Sequence, residues 1–347
     1  MRKFIYIINV LLVLATFASY AAPYIHPKLS WIFAFFGLFF PLFLAANAFF
    51  IVFWLFAKPI NAVLSALCLL AGFNYIISFV GFHNPVPSEN RANIIRAATY
   101  NISNASFLDV IKEGTQKENS EKFLKTMEHF DSIDVLCFQE VRQYGEKLLE
   151  KKFPKHYNHV SEKSSVILSK HRILKKGVID FGTRTNSCVW ADIRIKKDTI
   201  RIYSFHLKSN QISKNADKVT QDIQNNEKLN WYDIKGMFSK FRRYHKERVK
   251  QVEMIAAHIK QCPHPYILGG DLNDPAQSYT YRVLSENGTD AFKIRGRGIG
   301  TTYAGNIPLL RIDYIFYSNE FDCISYNSPA YKISDHYPVM VELIAKK

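Results

Sequence analysis

Hydrophobic residues dominate the first 80 positions and fall into three long runs. The runs extend from Phe4 to Ala22, from Trp31 to Ala57 and from Ile60 to Val80. Each has about the 20 residues that a helix needs to cross a bilayer. Pro41 lies inside the second run, where a kink is tolerated. The pattern predicts a membrane anchor at residues 1–82 with three transmembrane helices, at about 4–22, 31–57 and 60–80.

Acidic residues are absent from positions 1–87, and all 30 of them lie beyond that point. So long a stretch without a carboxylate argues against the alternative of a soluble helical bundle. The first run, behind Arg2 and Lys3, resembles a cleaved signal peptide, but the two runs that follow argue against its removal. The lack of an intramembrane carboxylate also disfavours a transporter.

The positive charges of the anchor indicate its orientation. Three crossings place Arg2, Lys3 and Lys58 on one side of the membrane and Lys28 on the other. The positive-inside rule then favours a cytoplasmic amino terminus and an extracytoplasmic catalytic domain. We therefore expect a multi-pass membrane protein.

Short β-rich runs alternate with helical stretches in the soluble domain predicted at residues 93–347, after a linker at 83–92. Helical spacing predicts helices at Ser120–Phe130 and at about Asn230–Lys260. Mixed strands and helices indicate an α/β domain whose core is formed by sheets. The predicted strands are Asn93–Tyr100, Val135–Phe138, Ser165–Leu168, Cys188–Ile195, Thr199–Phe205, Tyr266–Leu268, Arg311–Tyr317 and Val339–Ile344.

Basic residues exceed acidic ones in the soluble domain, which has 41 Lys and Arg against 30 Asp and Glu. This surplus favours a polyanionic partner, nucleic acid or anionic lipid, although a Lys-rich soluble surface gives the same count. The segment 208–248 interleaves basic and aromatic residues, as surfaces for nucleic acid or anionic membranes do. A solvated helix with one buried face explains the same pattern. Nothing in the sequence indicates a protein partner.

Polar residues repeatedly end or interrupt the apolar strands. A single case is more often a turn cap than a ligand, but six cases are too many for that explanation, because a buried polar group without a partner is costly. They are Asn101 after AATY, Glu140 after VLCFQ, His206 after IYSF, Asp271 and Asn273 in GGDLND, Asp313 in RIDYIF, and Asp335 with His336 in SDHYPV.

Carboxylates gathered at one rim of a core repel one another and require a cation. Oxygen ligands favour a hard divalent ion, Mg²⁺ first and Mn²⁺ second. The five cysteines are scattered and no HExxH motif occurs, which disfavours a zinc hydrolase. The sequence therefore predicts a magnesium-dependent site.

The motifs TYN, QE, HL, GDLN, DY and SDHYP, in this order, resemble those of the endonuclease/exonuclease/phosphatase superfamily, also called the deoxyribonuclease I-like fold. The match covers about residues 93–345. The resemblance implies a four-layer α/β/β/α sandwich with a metal site at one edge. The chain departs from the family pattern at Ser164 and Ser165, where relatives often have Gly, and in the insert after His206.

Carried over by position, the resemblance implies a role for each of these residues. Asn101, Glu140 and Asp335 resemble metal-associated residues. Thr302 and Tyr303 resemble a substrate-binding segment. The implied catalytic residues are His206 and His336 at the phosphate, Asp313 orienting His336, Asp271 at the attacking water and Asn273 at the transition state.

These residues predict a membrane-anchored, metal-dependent phosphoesterase that hydrolyses phosphodiester or phosphomonoester bonds. The basic domain favours a nuclease, specifically an endonuclease. The anchor favours the alternative of a phospholipid or phosphoinositide phosphoesterase at the membrane surface. A non-catalytic binding module is a third alternative, but it would not need the complete set of acids, amides and histidines.

Overall fold

A computed structural model describes residues 2–86, 93–153, 158–209, 231–305 and 309–346 of the chain. The predicted linker at 83–92 and the insert after His206 lie partly outside the described residues.

Two helices near the amino terminus, α1 (Arg2–Ala21) and α3 (Phe40–Ala57), are long and apolar enough to cross a membrane. A third apolar unit consists of a 3-10 turn followed by α4 (Ala62–Ala71) and α5 (Phe73–Phe79). This unit is bent by 67° at Gly72, as in a broken span or a re-entrant loop. The described anchor thus has two such helices, or three spans if the bent unit counts as one.

The second apolar run does not form the single helix that its length predicts. A short helix, α2 (Ile32–Leu38), ends at Phe39, and Pro41 occupies the first turn of α3. Proline is well suited to a first turn because no hydrogen bond is expected of its nitrogen there. In a continuous helix its ring would collide with the carbonyl of Gly37. The part of this run that is long enough to span a membrane is therefore α3, and α2 packs separately from it.

Polar side chains join the helices inside the anchor. Asn9 Nδ2 donates to Ser65 Oγ (2.8 Å), and Asn9 Oδ1 accepts from Trp54 Nε1 (2.9 Å). Asn47 Nδ2 donates to Thr16 Oγ1 (2.9 Å). Lipid offers no competing hydrogen-bond partners, so such contacts hold apolar helices together.

We expect Asn9→Leu to destabilise the anchor by about 1 kcal/mol, because two partners on two other helices lose their hydrogen bond together. Unfolding of the full chain in detergent, followed by tryptophan fluorescence, measures the effect. Leu11→Ala is the control, since Leu11 is 59% exposed on the lipid-facing side. Equal stability of Asn9→Leu and the native chain would contradict this role.

The rest of the chain is built on two six-stranded sheets and a two-stranded pair. The strands are β1 (Val80–Phe82), β2 (Ile94–Asn101), β3 (Val135–Gln139), β4 (Asn158–Glu162), β5 (Ser165–Ser169), β6 (Ile173–Asp180), β7 (Ser187–Ile195), β8 (Asp198–His206), β9 (Tyr266–Asp271), β10 (Thr289–Asp290), β11 (Arg297–Ile299), β12 (Asp313–Tyr317), β13 (Phe321–Asn327) and β14 (Val339–Ala345). The first sheet has the order β13-β14-β2-β3-β5-β4 and the second β10-β12-β9-β8-β7-β6, while β1 pairs with β11.

Helices cover the outer faces of both sheets. The helices of this part are α6 (Phe107–Val110), α7 (Gln116–Thr126), α8 (Gln143–Lys152), α9 (Trp231–Lys260), α10 (Tyr279–Ser285) and α11 (Ala291–Arg295). Phe123 and Leu148 bring α7 and α8 onto the first sheet, and Val252 and Tyr281 bring α9 and α10 onto the second. Aliphatic side chains fill the space between the sheets. The predicted four-layer α/β/β/α sandwich is confirmed.

All eight predicted strands occur, with ends displaced by at most three residues. Helix α7 begins four residues before the prediction, because Thr115 and Glu118 form a reciprocal capping box at its start. Strand β6 was not predicted, because the exposed lysines of its LKKG segment interrupt the apolar run that is typical of a buried strand.

Candidate active site

The strand register places the polar residues of the second sheet side by side on neighbouring strands. Parallel pairing of β8 with β9 places His206 opposite Asp271, and antiparallel pairing of β9 with β12 places Asp313 opposite the same residue. In the first sheet, parallel pairing of β2 with β3 sets Asn101 beside the end of β3, next to Glu140. The sandwich therefore gathers segments more than 200 residues apart in sequence at one edge.

Asn101 lies at the centre of this group. Its Nδ2 is 3.1 Å from Asp271 Oδ2, 3.3 Å from Glu140 Oε1 and 3.4 Å from His336 Nε2. Its Oδ1 accepts from the backbone N–H of Ser103 (3.1 Å), which fixes the amide orientation. The amide nitrogen thus faces the carboxylates, and ligation of a cation by Asn101 Oδ1 would require the side chain to rotate.

His336 is held between two carboxylates. Its Nδ1 lies 2.9 Å from Asp313 Oδ2, and its Nε2 lies 3.9 Å from Asp271 Oδ2. Burial alone would lower the pKa of His336, but the charges of Asp313 and Asp271 outweigh it and raise the pKa well above the usual value. His336 is therefore an imidazolium at neutral pH, with Nε2–H directed towards the site.

His206 differs from His336 in its protonation state. Its Nε2 is 3.6 Å from Glu140 Oε1 and 3.8 Å from Asp271 Oδ2. Ser164 Oγ donates to Thr185 O (2.5 Å) and lies 3.3 Å from His206 Nδ1, so Nδ1 is the protonated nitrogen. Burial lowers the pKa of His206, and the ring is neutral with its Nε2 lone pair facing the carboxylates.

Asp271 is the most enclosed acid of the group. The backbone N–H and the side-chain amide of Asn273 donate to its two oxygens (2.8 and 3.0 Å). Burial, followed by the charge of Asp313, raises the pKa of Asp271 to about 8. Asn273 and Glu140 both have positive φ angles, 56° and 55°, a conformation that is costly for a residue such as Glu. Strained backbone of this kind is concentrated at functional sites.

The residues present suit a divalent cation. Within the described part of the chain, the buried atoms His206 Nε2 and Asp313 Oδ1 have no hydrogen-bond partner. Asp271, Asp313 and His336 offer ligand atoms within 4.8 Å of one another, but a protonated His336 cannot coordinate a metal. Glu140 and Asp271 instead converge on Asn101 Nδ2 and on the His206 lone pair, and a divalent cation at this point would balance the negative charge of the carboxylates.

The third predicted metal residue, Asp335, lies at the rim. Its Oδ1 accepts from Ser103 Oγ (2.5 Å), and Ser334 Oγ donates to the carbonyl of Asn101 (2.7 Å). Asp335 is therefore connected to the centre through Ser103 and Asn101. The metal roles of Asn101, Glu140 and Asp335 stay predictions.

The predicted substrate segment divides into two parts. Thr302 is buried, and its Oγ1 accepts from the backbone N–H groups of Ile312 and Asp313 (both 3.0 Å). Its side chain thus supports β12 and does not line a cleft. Tyr303 is half-buried and forms a β-bridge with His336, with the ring centroids 5.4 Å apart. Tyr303 is the member that can line a cleft.

The positioning roles of several residues were not predicted from the sequence. Ser103, Ser164 and Ser334 each hold a site residue, and Gln139 links the sheets by donating to Ser204 Oγ (3.1 Å). The only sequence signal is that these side chains flank the motifs. Serine is too common in turns for that signal to have been specific.

A buried ion pair supports the loop after Asn273. Arg248 of α9 donates from Nε and Nη2 to the two oxygens of Asp274 (both 2.8 Å), and Thr280 Oγ1 donates to the same carboxylate (2.7 Å). Burial alone would raise the pKa of Asp274, but the Arg248 guanidinium outweighs it and lowers the pKa to about 2. This pair ties the long helix to the loop that carries Asn273.

The lowered pKa of Asp274 makes stability depend on acid pH. A depressed carboxyl pKa stabilises the fold above the unfolded value of about 3.9, and this stability is lost as pH falls towards 2. We expect Asp274→Asn to cost about 2 kcal/mol at pH 7 and to flatten the unfolding profile between about pH 4 and pH 2. Thermal unfolding across this pH range measures it, with the exposed Asp322→Asn as control. A native-like profile for Asp274→Asn would contradict the assignment.

Solved structures with this fold superpose on the chain. An endonuclease/exonuclease/phosphatase family protein from Bacteroides thetaiotaomicron matches with a TM-score of 0.54 and 19% identity, covering 73% of this chain and 98% of that one. A mannosyl-6-phosphatase from the same organism matches with 0.54 and 17%, covering 72% and 99%. A humanized D. rerio TDP2 matches with 0.53 and 15%, covering 72% and 99%. At these identities the likeness shows the fold.

Family models divide the chain as the two parts of the fold do. A domain of unknown function matches residues 2–79, and no curated protein matches the chain significantly. The model described as the endonuclease/exonuclease/phosphatase family matches residues 98–336, more than half of the chain. This protein therefore belongs to the endonuclease/exonuclease/phosphatase family.

Proposed function

We propose that the soluble domain hydrolyses phosphate esters with the help of a divalent cation, Mg²⁺ or Mn²⁺. One observation carries the proposal. The imidazole of His336 and the carboxyl groups of Asp271 and Glu140 converge within about 4 Å of Asn101 at one edge of the sandwich. A positive hydrogen-bond donor beside a proton acceptor is what attack of water on a phosphate requires.

Each residue then has a defined part in the reaction. The raised pKa of Asp271 would fall beside a bound divalent cation, and the deprotonated carboxylate, oriented by Asn273, then accepts a proton from the attacking water as the new P–O bond forms. His336, kept protonated by Asp313, donates a hydrogen bond from Nε2–H to a phosphoryl oxygen while the ester bond breaks, and the leaving alkoxide takes a proton from solvent water to become the alcohol. Glu140 is the residue best placed to hold a divalent ion, which would neutralise charge on the phosphate.

Nucleic acid is the first candidate substrate. The positive surplus of the domain favours it, and we place a nuclease first for that reason.

A lipid phosphoester is the second candidate, and a specific contact favours it. Leu38 and Phe39, at the break between α2 and α3, pack with Leu310, Ile312 and Tyr303. Tyr303 in turn contacts His336. Buried apolar packing thus connects the anchor to the residue beside the catalytic histidine, which would keep the site close to a lipid surface.

One comparison tests the activity and separates these candidates. The full chain in detergent is assayed with Mg²⁺, with Mn²⁺ and with a chelator against plasmid DNA, RNA, phospholipid vesicles and a soluble phosphomonoester, with Asp271→Asn as control. Metal-dependent cleavage of any substrate supports the proposal, and the preferred substrate identifies the class. No hydrolysis of any substrate with either ion would contradict it.

We further propose that the amino terminus is cytoplasmic and that the domain lies on the other side of the membrane. His26, beyond the carboxyl end of α1, contacts Glu253 of the soluble domain (3.1 Å). The domain thus adjoins the end of α1 opposite Arg2. Protease protection in oriented membranes tests this, and cleavage from the cytoplasmic side would refute it.

A further inference from the structure

Helix α9 packs against the anchor through aromatic residues of its first half. The Phe238 ring lies 6.0 Å from Trp31 and 5.2 Å from Phe35, and Phe241 lies 6.1 and 5.9 Å from the same two rings. Trp31 and Phe35 belong to the region of α2, between the end of α1 and the start of α3. This half of α9 is therefore level with the end of the anchor.

A second contact defines which side of α9 faces the anchor. Glu253 Oε1 lies 3.1 Å from His26 Nε2, in the connection between α1 and α2, and 3.2 Å from the hydroxyl of Tyr279. The side of α9 that carries Glu253 is thus turned towards this connection.

Three cations share that side. Lys235, Arg242 and Lys246 precede Glu253 by 18, 11 and 7 residues, spacings that are close to whole numbers of helical turns. Lys235 and Arg242 are exposed and Lys246 is half-buried. In the described part of the chain, no carboxylate forms an ion pair with any of the three. The sequence from 234 to 246 contains five Lys and Arg and no acid.

We propose that this side of α9, formed by Lys235, Arg242 and Lys246, binds the anionic lipid headgroups of the membrane that holds α1 and α3. Lys and Arg within a Debye length of a bilayer surface are attracted by anionic headgroups in the adjacent leaflet, on whichever side of the membrane it lies. The inference goes beyond phosphoester hydrolysis and rests on membrane insertion of the two helices.

Nucleic acid is the competing partner for a basic surface, and the aromatic residues argue against it here. Binding to single strands uses exposed aromatic rings on which bases stack. Phe241 is buried and Phe238 is half-buried, and both pack on α2. Phe238 and Phe241 hold the helix to the anchor, and the half-buried Tyr244 ring is covered by Lys208 and Arg243, so neither phenylalanine is available for stacking.

Hydrogen exchange of the full chain in nanodiscs tests the proposal. We compare peptides from 235–247 in discs of phosphatidylcholine alone and in discs that also contain phosphatidylglycerol. We expect exchange at least about threefold slower with the anionic lipid, and loss of this difference at high salt. The variant Lys235→Glu/Arg242→Glu/Lys246→Glu should lose the difference. The charge-matched variant Lys240→Glu/Arg243→Glu/Lys176→Glu, with two changes on other sides of the same helix and the third on the exposed surface of β6, should keep it.

Equal exchange of the native chain in both kinds of disc would overturn the proposal. An equal response of the two triple variants to the anionic lipid would also overturn it. Protection by single-stranded DNA in phosphatidylcholine discs, without an effect of phosphatidylglycerol, would assign the surface to nucleic acid. Release of the chain from vesicles by carbonate would remove the membrane basis, independently of any enzymatic result. Unchanged exchange of peptides from 250–260 verifies that each variant is folded.

Discussion

His336→Ala and Asp271→Asn should each lower turnover by at least about 100-fold while the domain stays folded. His336→Ala removes the charged donor to the phosphate. Asp271→Asn removes the proton acceptor but keeps the shape of the side chain. Both changes act on the transition state, so we expect kcat to fall much more than KM rises.

The measurement is steady-state hydrolysis of the preferred substrate with saturating Mg²⁺, alongside circular dichroism. His83→Ala and Asp322→Asn are the matched controls, since both side chains are exposed. These controls should retain native turnover. Native turnover in folded His336→Ala or Asp271→Asn would reject the catalytic assignment.

Arg311→Met should lower the free energy of unfolding by about 3–5 kcal/mol, because it leaves a buried carboxylate unpaired. Arg311 is 3% exposed and donates to Asp290 Oδ2 (2.9 Å) and to the carbonyl of Ser78 (2.8 Å). Ser78 belongs to α5, and Arg311 precedes Asp313 by two residues. The same side chain thus joins the anchor to the strand that orients His336.

Chemical unfolding of the full chain in detergent measures this loss. Arg282→Met is the control, since its ion pair with Glu286 is exposed and should be worth less than about 1 kcal/mol. Replacing both buried partners, in Arg311→Met/Asp290→Leu, should recover part of the stability. A single variant as stable as the native chain would show that the pair does not hold the two parts together.

The sequence by itself predicted the elements and the motif residues. Long apolar runs, the alternation of strands and the polar residues at strand ends are local properties, so they are visible without a fold. The sandwich was predicted because motifs such as GGDLND and SDHYPV resemble a known family. The strand ends indicated that carboxylates gather at one rim, and the resemblance identified Glu140, Asp271 and His336 as members of one site.

Only the tertiary structure determines the protonation states and helix contacts that depend on residues distant in the sequence. Opposite protonation of His206 and His336 arises because Asp313 forms a 2.9 Å contact with His336, whereas the carboxylates near His206 are 3.6–3.8 Å away and burial dominates its pKa, helped by the charge of His336. The break before Pro41 separates α2 from α3, and α2 packs against Phe238 and Phe241. The contact of Glu253 with His26 determines which side of α9, and so which of its cations, faces the anchor. Charge and packing act through space between residues that the chain order separates, so no local pattern contains them.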